Sequence, residues 1–552
     1  MTTSDDRLFT GDEQADEAGA VNASASASVY PLHRNALGLP AILFVCIAAI
    51  APAASMLFNV PVMANQAGAA TPLAFLLSAV GVLLLGVPVV YFARRFSSAG
   101  GFATWVRHGL GSRVAFQVGW LMLGAYALFE AALQATVGGS LDLTLSGLGF
   151  HVPGGWVSYA LALTLIVGVL SYFDVTASVW VMAPFAVAEV LALLVLDAVV
   201  TLKGGVAGHA LLHTFTPAGA TVKGAAPGGL PGIGLAMVLG ILAFVGFETG
   251  AVYGEEARQP RRTIPLAMFA LLVFLAVLYI WTAYAATIGV GWQHAGAILG
   301  DVNAAPQQYI TLAGTFVGSW LGSTLVVFVL TSNFASSFAM HQAMVRSLYA
   351  PGRDGLVPRV FGRTHPRWHS PYLATFAQTG FTLVVIVVLG LVRQHTNSDG
   401  SVVYAPGIAD GTYWQQTSGI VSFGWLASMV TVCIILVYLL TNLAAPVCAH
   451  RRHELRVFAY VIAPSLSSLL LLLPPGPIGA YFTAPGFAPT PFPANILPLC
   501  VLAWVFAGGG YTVYLSRRHP QRLRQMGQGA AQEETEVGKA RRKNANEHGW
   551  AR

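Results

Sequence analysis

Ala48-Ala49-Ile50-Ala51-Pro52-Ala53-Ala54-Ser55 and, far downstream, Ala243-Phe244-Val245-Gly246-Phe247-Glu248-Thr249-Gly250 are the two stretches that decide the fold. Each lies inside a long apolar run. Pro52 lacks an N–H and its ring crowds the preceding turn. Gly246, Gly250 and the carboxyl of Glu248 interrupt the second run in the same way. In hydrocarbon every backbone polar group must be satisfied internally, so a broken helix is tolerated only when buried in protein or facing a water-filled cavity. A proline kink or a small-residue packing site explains either stretch alone. Their pairing, at the first and sixth of the apolar spans, points instead to a binding site between two inverted halves.

The apolar spans follow from composition. The 552 residues are 55% hydrophobic and 9% charged, against roughly 25% charged in soluble domains. Mean hydropathy is +0.65. A membrane-crossing helix needs about 20 apolar residues, and twelve segments meet or approach this. The first six are Leu39 to Asn65, Pro72 to Phe92, Val114 to Leu141, Val157 to Tyr172, Ala177 to Val200 and Ile233 to Gly254. The second six are Ile264 to Ile288, Tyr309 to Tyr349, Pro371 to Leu391, Gly419 to Ala445, Phe458 to Leu473 and Asn495 to Leu515. Runs of this length exclude a β-barrel, whose strands alternate over about 9–11 residues.

Charge sets the orientation. If the loops alternate sides, all but Lys203, Lys223 and Arg393 of the 29 Lys and Arg residues fall on one side. Cytoplasmic loops carry that excess, so both ends are predicted to be cytoplasmic in a plasma (inner) membrane. One missed span would scramble the pattern. Residues 1–36 are acidic and Ala/Ser-rich without a signal-peptide core, and read as a disordered cytosolic tail. The expected organisation is a ten-helix core over 37–445, two additional helices over 446–516 and a basic, polar tail over 517–552. The loop at Thr201 to Leu230 is Gly-rich and expected to be irregular; that at Arg393 to Thr417 reads as a hairpin or loose turn. Basic residues confined to short loops speak against nucleic acid, and the expected partners are the lipid bilayer and a small molecule. Cys46, Cys433, Cys448 and Cys500 show no spacing that suggests a metal or disulfide.

Three stretches carry a family resemblance. The first is Ser97-Ser98-Ala99-Gly100-Gly101-Phe102-Ala103-Thr104-Trp105-Val106, followed by Gly109-Leu110-Gly111. The second is Phe244-Val245-Gly246-Phe247-Glu248 with Glu255-Glu256-Ala257-Arg258-Gln259-Pro260-Arg261-Arg262-Thr263-Ile264-Pro265. The third is Arg346, then Asp354-Gly355-Leu356-Val357-Pro358 and Ser370-Pro371. In these the chain resembles the amino acid–polyamine–organocation permeases. The resemblance implies an all-α integral membrane protein with a LeuT-like five-plus-five inverted repeat and two additional helices. It also implies uptake or exchange of amino acids or related amines. One departure is Ala51-Pro52-Ala53-Ala54-Ser55 where well-known members have a Gly-Ser-Gly-type turn.

Site candidates follow from the breaks and from intramembrane polar groups, which are functional candidates by default. Substrate is expected at Ile50, Ala51, Ala53, Ala54, Ser55, Ala243, Phe244, Val245 and Gly246, with Tyr126 and Glu130 completing the cavity. Free N–H groups there suit a carboxylate and free carbonyls an ammonium. Glu248, Phe247 and Glu189 are candidates for coupling or gating. Asn333, Ser336 and Ser337 share one helical face and form a candidate cation site, although small-residue packing with hydroxyls bonded back into their own helix is the better explanation. Either H⁺ or Na⁺ is thus a candidate coupling ion. Asp142 and Asp197 lie near span ends and read as interfacial. His365/His369 and His209/His213 have metal-like spacing but read as solvated loop histidines. No phosphate loop and no H-E-x-x-H motif occurs, so no metal, no cofactor and no enzymatic activity is expected. The expected function is amino-acid permeation by alternating access, with a polyamine or simple amine as the other substrate class. A non-transporting nutrient sensor is the reading from a different class.

Overall fold

The computed structural model describes residues 36–96, 100–173, 175–221, 228–301, 307–396, 402–406, 415–473 and 496–526. Ser97, Ser98 and Ala99 of the first motif, and most of both tails, lie outside them. The architecture is a bundle of long helices. α1 (Leu39–Ile50) and α2 (Pro52–Ala67) share the first span, followed by α3 (Thr71–Ala93), the short α4 (Gly101–Leu110) and α5 (Ser112–Gly147). α6 (Trp156–Tyr172), α7 (Val175–Lys203) and α8 (Gly229–Leu242) lead into a 3₁₀ segment, Phe247–Tyr253. The second half holds α9 (Pro260–Gly289), α10 (Gln307–Phe316), α11 (Ser319–Arg353), α12 (Tyr372–Gly390) and α13 (Gly419–Arg451). A π-helical turn, Phe458–Ile462, runs into α14 (Ala463–Leu472), and α15 (Leu497–Arg518) and α16 (Pro520–Gln525) close the chain.

Among the described residues nine helical stretches are long and apolar enough to cross a membrane, one of them running from Leu39 to Ala93 across its interruptions. Trp156–Tyr172 and Phe458–Leu472 are shorter apolar helices. The outward faces fit this reading. Leu165, Val169, Leu191, Val277, Val384 and Phe506 are exposed, whereas Glu130, Gln134, Asn333, His341 and Gln378 are buried. A surface that is apolar outside and polar inside suits hydrocarbon, where burial in protein is the polar group's only source of partners.

One span differs from expectation. The eighth span does not begin at Tyr309: Gly318, at φ 143°, separates α10 from α11, and the short α10 buries Gln308, Tyr309, Leu312 and Ala313. Only α11 is long enough to cross, because a non-helical glycine ended the apolar run's periodicity. The loop at 393–417 does form a hairpin, with β1 (Val392–Thr396) pairing antiparallel to β2 (Val402–Pro406) and to β3 (Gln415–Gln416). The segment around 201–230 contains a helical turn, Leu211–Thr214, and a 3₁₀ turn, Pro217–Gly219.

Loop-to-loop bonds sort the ends of the bundle. At one end Arg95 bonds Glu454 and Arg451 bonds the Gly109 carbonyl. Arg107 reaches the Arg524 carbonyl, Arg522 the Gly355 carbonyl and Arg353 Glu255. Ser370 bonds the Tyr172 carbonyl, and Leu37 exchanges backbone bonds with Glu256 and Arg258. At the other end Lys203 donates to the Phe316 carbonyl, Asn65 to Gly300 and Trp156 to Thr417. Basic loops therefore touch basic loops, as alternation requires.

α5 sits at the centre, packed by α4, α6, α11, α12, α13 and α15. It meets α13 at backbone distance: a Cβ on Gly419 would stand 2.1 Å from the Ala135 carbonyl oxygen. α15 leans on α5 through Trp120 and Trp504, whose rings stack at 4.5 Å and whose indole N–H groups each donate to the other's carbonyl.

Candidate functional site

The two interrupted segments meet. α1 ends at Ile50 because Ala51 adopts a left-handed conformation (φ 50°, ψ 71°), its N–H returning to the Ile47 carbonyl. Pro52 then occupies the first position of α2, where a missing N–H costs nothing. The chain is thus severed rather than kinked. Ser55 N–H bonds the Ala51 carbonyl, which leaves Ala53 and Ala54 as first-turn donors of a 16-residue helix. On the other side of the break the Ser55 hydroxyl caps the Ile50 carbonyl at 3.2 Å. Ser336 of α11 caps the Ala49 carbonyl at 2.6 Å.

Gly246 is what lets the second interruption approach the first. Its φ of 118° is one that L side chains rarely adopt, and a Cβ there would lie 2.9–3.0 Å from Ile50 Cγ1, the Ala49 carbonyl carbon and the Ile50 nitrogen. Phe244 N–H and Val245 N–H tighten the end of α8 by bonding Ile241 and Leu242, and Thr249 N–H returns to Gly246. Ala243, Phe244 and Val245 are buried in the same core as Ala51, Ala53 and Ala54.

Glu248 is completely buried. Its Oε2 accepts from the Gly246 N–H at 2.9 Å and the Tyr438 hydroxyl at 3.2 Å. Oε1 has no hydrogen-bond partner among the described residues, and the Tyr126 hydroxyl faces the same carboxyl. Phe244 packs on Tyr279 at 5.3 Å and Phe247 on Tyr438 at 6.0 Å, so both rings serve as core packing in this conformation. A cavity of about 50 Å³ runs from Glu248, Tyr126 and Val252 past Phe102 and Trp120 to Arg353 and Asp354 at the basic end, with Met526 at its wall. That is room for a few water molecules, not for an amino acid.

Other candidates are placed elsewhere. Glu130 is absent from the cavity wall and is spanned by α11 and α12: its Oε1 lies 3.0 Å from His341 Nδ1, and its Oε2 accepts from Gln378. Glu189 is buried beside Ser332. Of the cation candidates Ser336 donates through its hydroxyl to another helix. Asn333 bonds back to the Val329 carbonyl and Ser337 to that of Phe334, although Ser337 also accepts from Gln134. Asp197 is a correction: it is 1% exposed and bonded to Thr282 at 2.5 Å, because α7 runs on to Lys203 and carries Asp197 into the bundle. His209 meets the Tyr284 hydroxyl and His213 stacks on Trp292. His365 accepts two loop N–H groups. No cluster of metal ligands occurs among the described residues.

Sequence reasoning missed His341, Gln378 and Tyr438. His341 carried a usable signal, being an ionisable side chain deep in an apolar span. Gln378 carried a weaker one, as a polar amide inside a span; Tyr438 carried none, since tyrosine is not unusual in a membrane helix.

The chain matches the amino acid permease family over residues 41–462. It belongs to that family. It is accordingly a multi-pass membrane protein. Among its relatives, the branched-chain amino acid permease BcaP of Bacillus subtilis (strain 168) is 27% identical over 332 residues, covering 57% of this chain and 66% of the relative. Cationic amino acid transporter 4 of Homo sapiens is 27% identical over 338 residues, 59% of this chain and 51% of the relative. The low-affinity putrescine importer PlaP of Escherichia coli (strain K12) is 25% identical over 325 residues, 57% and 66% respectively. The matched region thus spans between about half and two thirds of each relative's length. All three are transporters by name, and none is an enzyme.

Proposed function

We propose that this permease is a secondary transporter that carries an amino acid across the plasma membrane by alternating access, through proton coupling or exchange. The carrying observation is the contact between the two interruptions, where Gly246 rests on Ala49–Ile50 and the Ala53 and Ala54 N–H groups open a helix. A substrate carboxylate fits those donors, and the open oxygen of Glu248 suits the ammonium end or a proton. The twelve-span, five-plus-five arrangement with both termini cytoplasmic is part of this reading, and the sorted loop contacts support it. The organisation at 37–445 and 446–516 goes with it. Sodium at Ser336 and the Ala49 carbonyl is the alternative to a proton as coupling ion.

Proteoliposome uptake of labelled leucine, lysine and putrescine under separate proton and sodium gradients tests the proposal. Flux of leucine or lysine is expected. Flux of putrescine alone would favour the amine reading, which the name of the putrescine importer and the buried carboxyl at Glu248 support. Binding without flux of any probe would sink transport in favour of a sensor.

A further inference from the structure

We propose that Glu130 and His341 form a proton-carrying pair, separate from the cavity that ends at Glu248. The proposal rests on the transport reading above and assigns the coupling ion to a place outside the substrate path. Both side chains are fully buried, with Oε1 and Nδ1 3.0 Å apart. Gln378 holds the other carboxylate oxygen, and the same amide nitrogen faces the Ala127 carbonyl, so a donor already occupies Oε2. The exchangeable proton therefore lies on the Oε1–Nδ1 line or on His341 Nε2. That nitrogen is buried with no partner among the described residues.

The chemistry of the pair allows two states. Carrying the proton, it is neutral overall, either as carboxylate with imidazolium or as carboxylic acid with imidazole. Without it, the carboxylate faces a neutral ring and the pair holds one negative charge. Burying an uncompensated charge is costly, so the closed bundle favours the loaded, neutral state. Release requires the seam between α5 and α11 to open to water, which is the movement alternating access supplies.

The seam extends from the pair toward the break. Gln134, one turn beyond Glu130 on α5, bonds Ser337, one turn before His341 on α11, and its Oε1 is also buried without a partner among the described residues. Ser336, next in chain to Ser337, holds the Ala49 carbonyl at the end of α1. Polar groups thus line the seam from the pair toward the interrupted helix. Buried ionisable groups on these and the surrounding elements include Tyr126 on α5, Glu189 on α7, Cys46 on α1, Cys433, Tyr438 and Cys448 on α13, Arg346 and Tyr349 on α11, and Glu248. Arg346 is matched by Glu256 and Glu248 by Gly246 and Tyr438, while α12 presents neutral Thr375, Gln378, Thr379 and Thr382.

The test compares Glu130→Gln and His341→Gln in proteoliposomes with labelled leucine, lysine and putrescine. Uptake driven by an imposed pH gradient is set against counterflow at equal pH. Each variant is expected to lose gradient-driven accumulation at least tenfold while counterflow stays within twofold of wild type. Gradient-driven uptake retained within twofold by both variants overturns the proposal, as does equal loss of both modes in protein that melts like wild type. Infrared titration of the purified full chain in liposomes separates this from failure of the transport reading. A pH-dependent carboxyl or carboxylate difference band is expected, absent in Glu130→Gln and altered in His341→Gln. An unchanged band in both variants refutes the pair even if no probe is transported.

Discussion

Replacing Gly246 by alanine tests the contact on which the site rests. Two costs act at once. At φ 118° an L residue carries backbone strain of about 1–3 kcal/mol. The new methyl would stand 2.9–3.0 Å from three atoms of Ala49 and Ile50, two of them backbone, so α1 must withdraw by several tenths of an ångström or Gly246 must move. Overpacking of that kind costs roughly 1–3 kcal/mol, giving about 2–6 kcal/mol together, against a total stability of about 5–15 kcal/mol for a typical domain. The variant is expected to fold with a lowered melting temperature. Its larger effect should be on counterflow, since a misplacement of about 1 Å at a binding site can cost 10²-fold. Gly424→Ala is the control: it lies inside α13 with nothing within 4 Å of a built Cβ, and alanine there is favoured by about 1 kcal/mol. A Gly246→Ala protein that melts and transports like Gly424→Ala would refute the claim that backbone contact between the interruptions sets the site.

Other expectations follow from single contacts. The Arg346–Glu256 pair is 3% exposed on both sides and doubly bonded at 2.6 and 2.8 Å; Arg346→Met or Glu256→Gln should each destabilise by about 3–5 kcal/mol by stranding a charge, and the double variant by less, as read from detergent melting. Ser336→Ala removes the bond to Ala49 and should weaken substrate affinity about fivefold, equivalent to ~1 kcal/mol, with little change in melting; unaltered affinity would detach Ser336 from the site. His108, stacked on Phe96 at 3.6 Å, is held down to about 4 from an ordinary 6.5 by burial first and then by Arg107 and Arg452. Between those values the unfolded chain binds a proton that the folded chain does not, so stability is complete above pH 6.5 and falls toward pH 4; His108→Gln should flatten that fall in a pH series of melting temperatures.

Much of this was legible along the chain. Hydropathy is a local property, and the bilayer reads it one segment at a time, so apolar spans are written in consecutive residues. The positions of the interruptions were equally local, because Pro52 and Gly246 act on their own backbone. Partners were not. Glu130 looked like a cavity carboxylate until α11 and α12 brought His341 and Gln378 to it; Asp197 looked interfacial until α7 carried it to Thr282. The eighth span split at Gly318 for want of any polar signal there. By itself the sequence determined that long apolar segments cross a membrane and where two of them break. Only the tertiary structure decided what each buried polar group touches. Hydrogen bonds across a bundle join residues two hundred positions apart, and within hydrocarbon every such group takes whatever partner the packing brings.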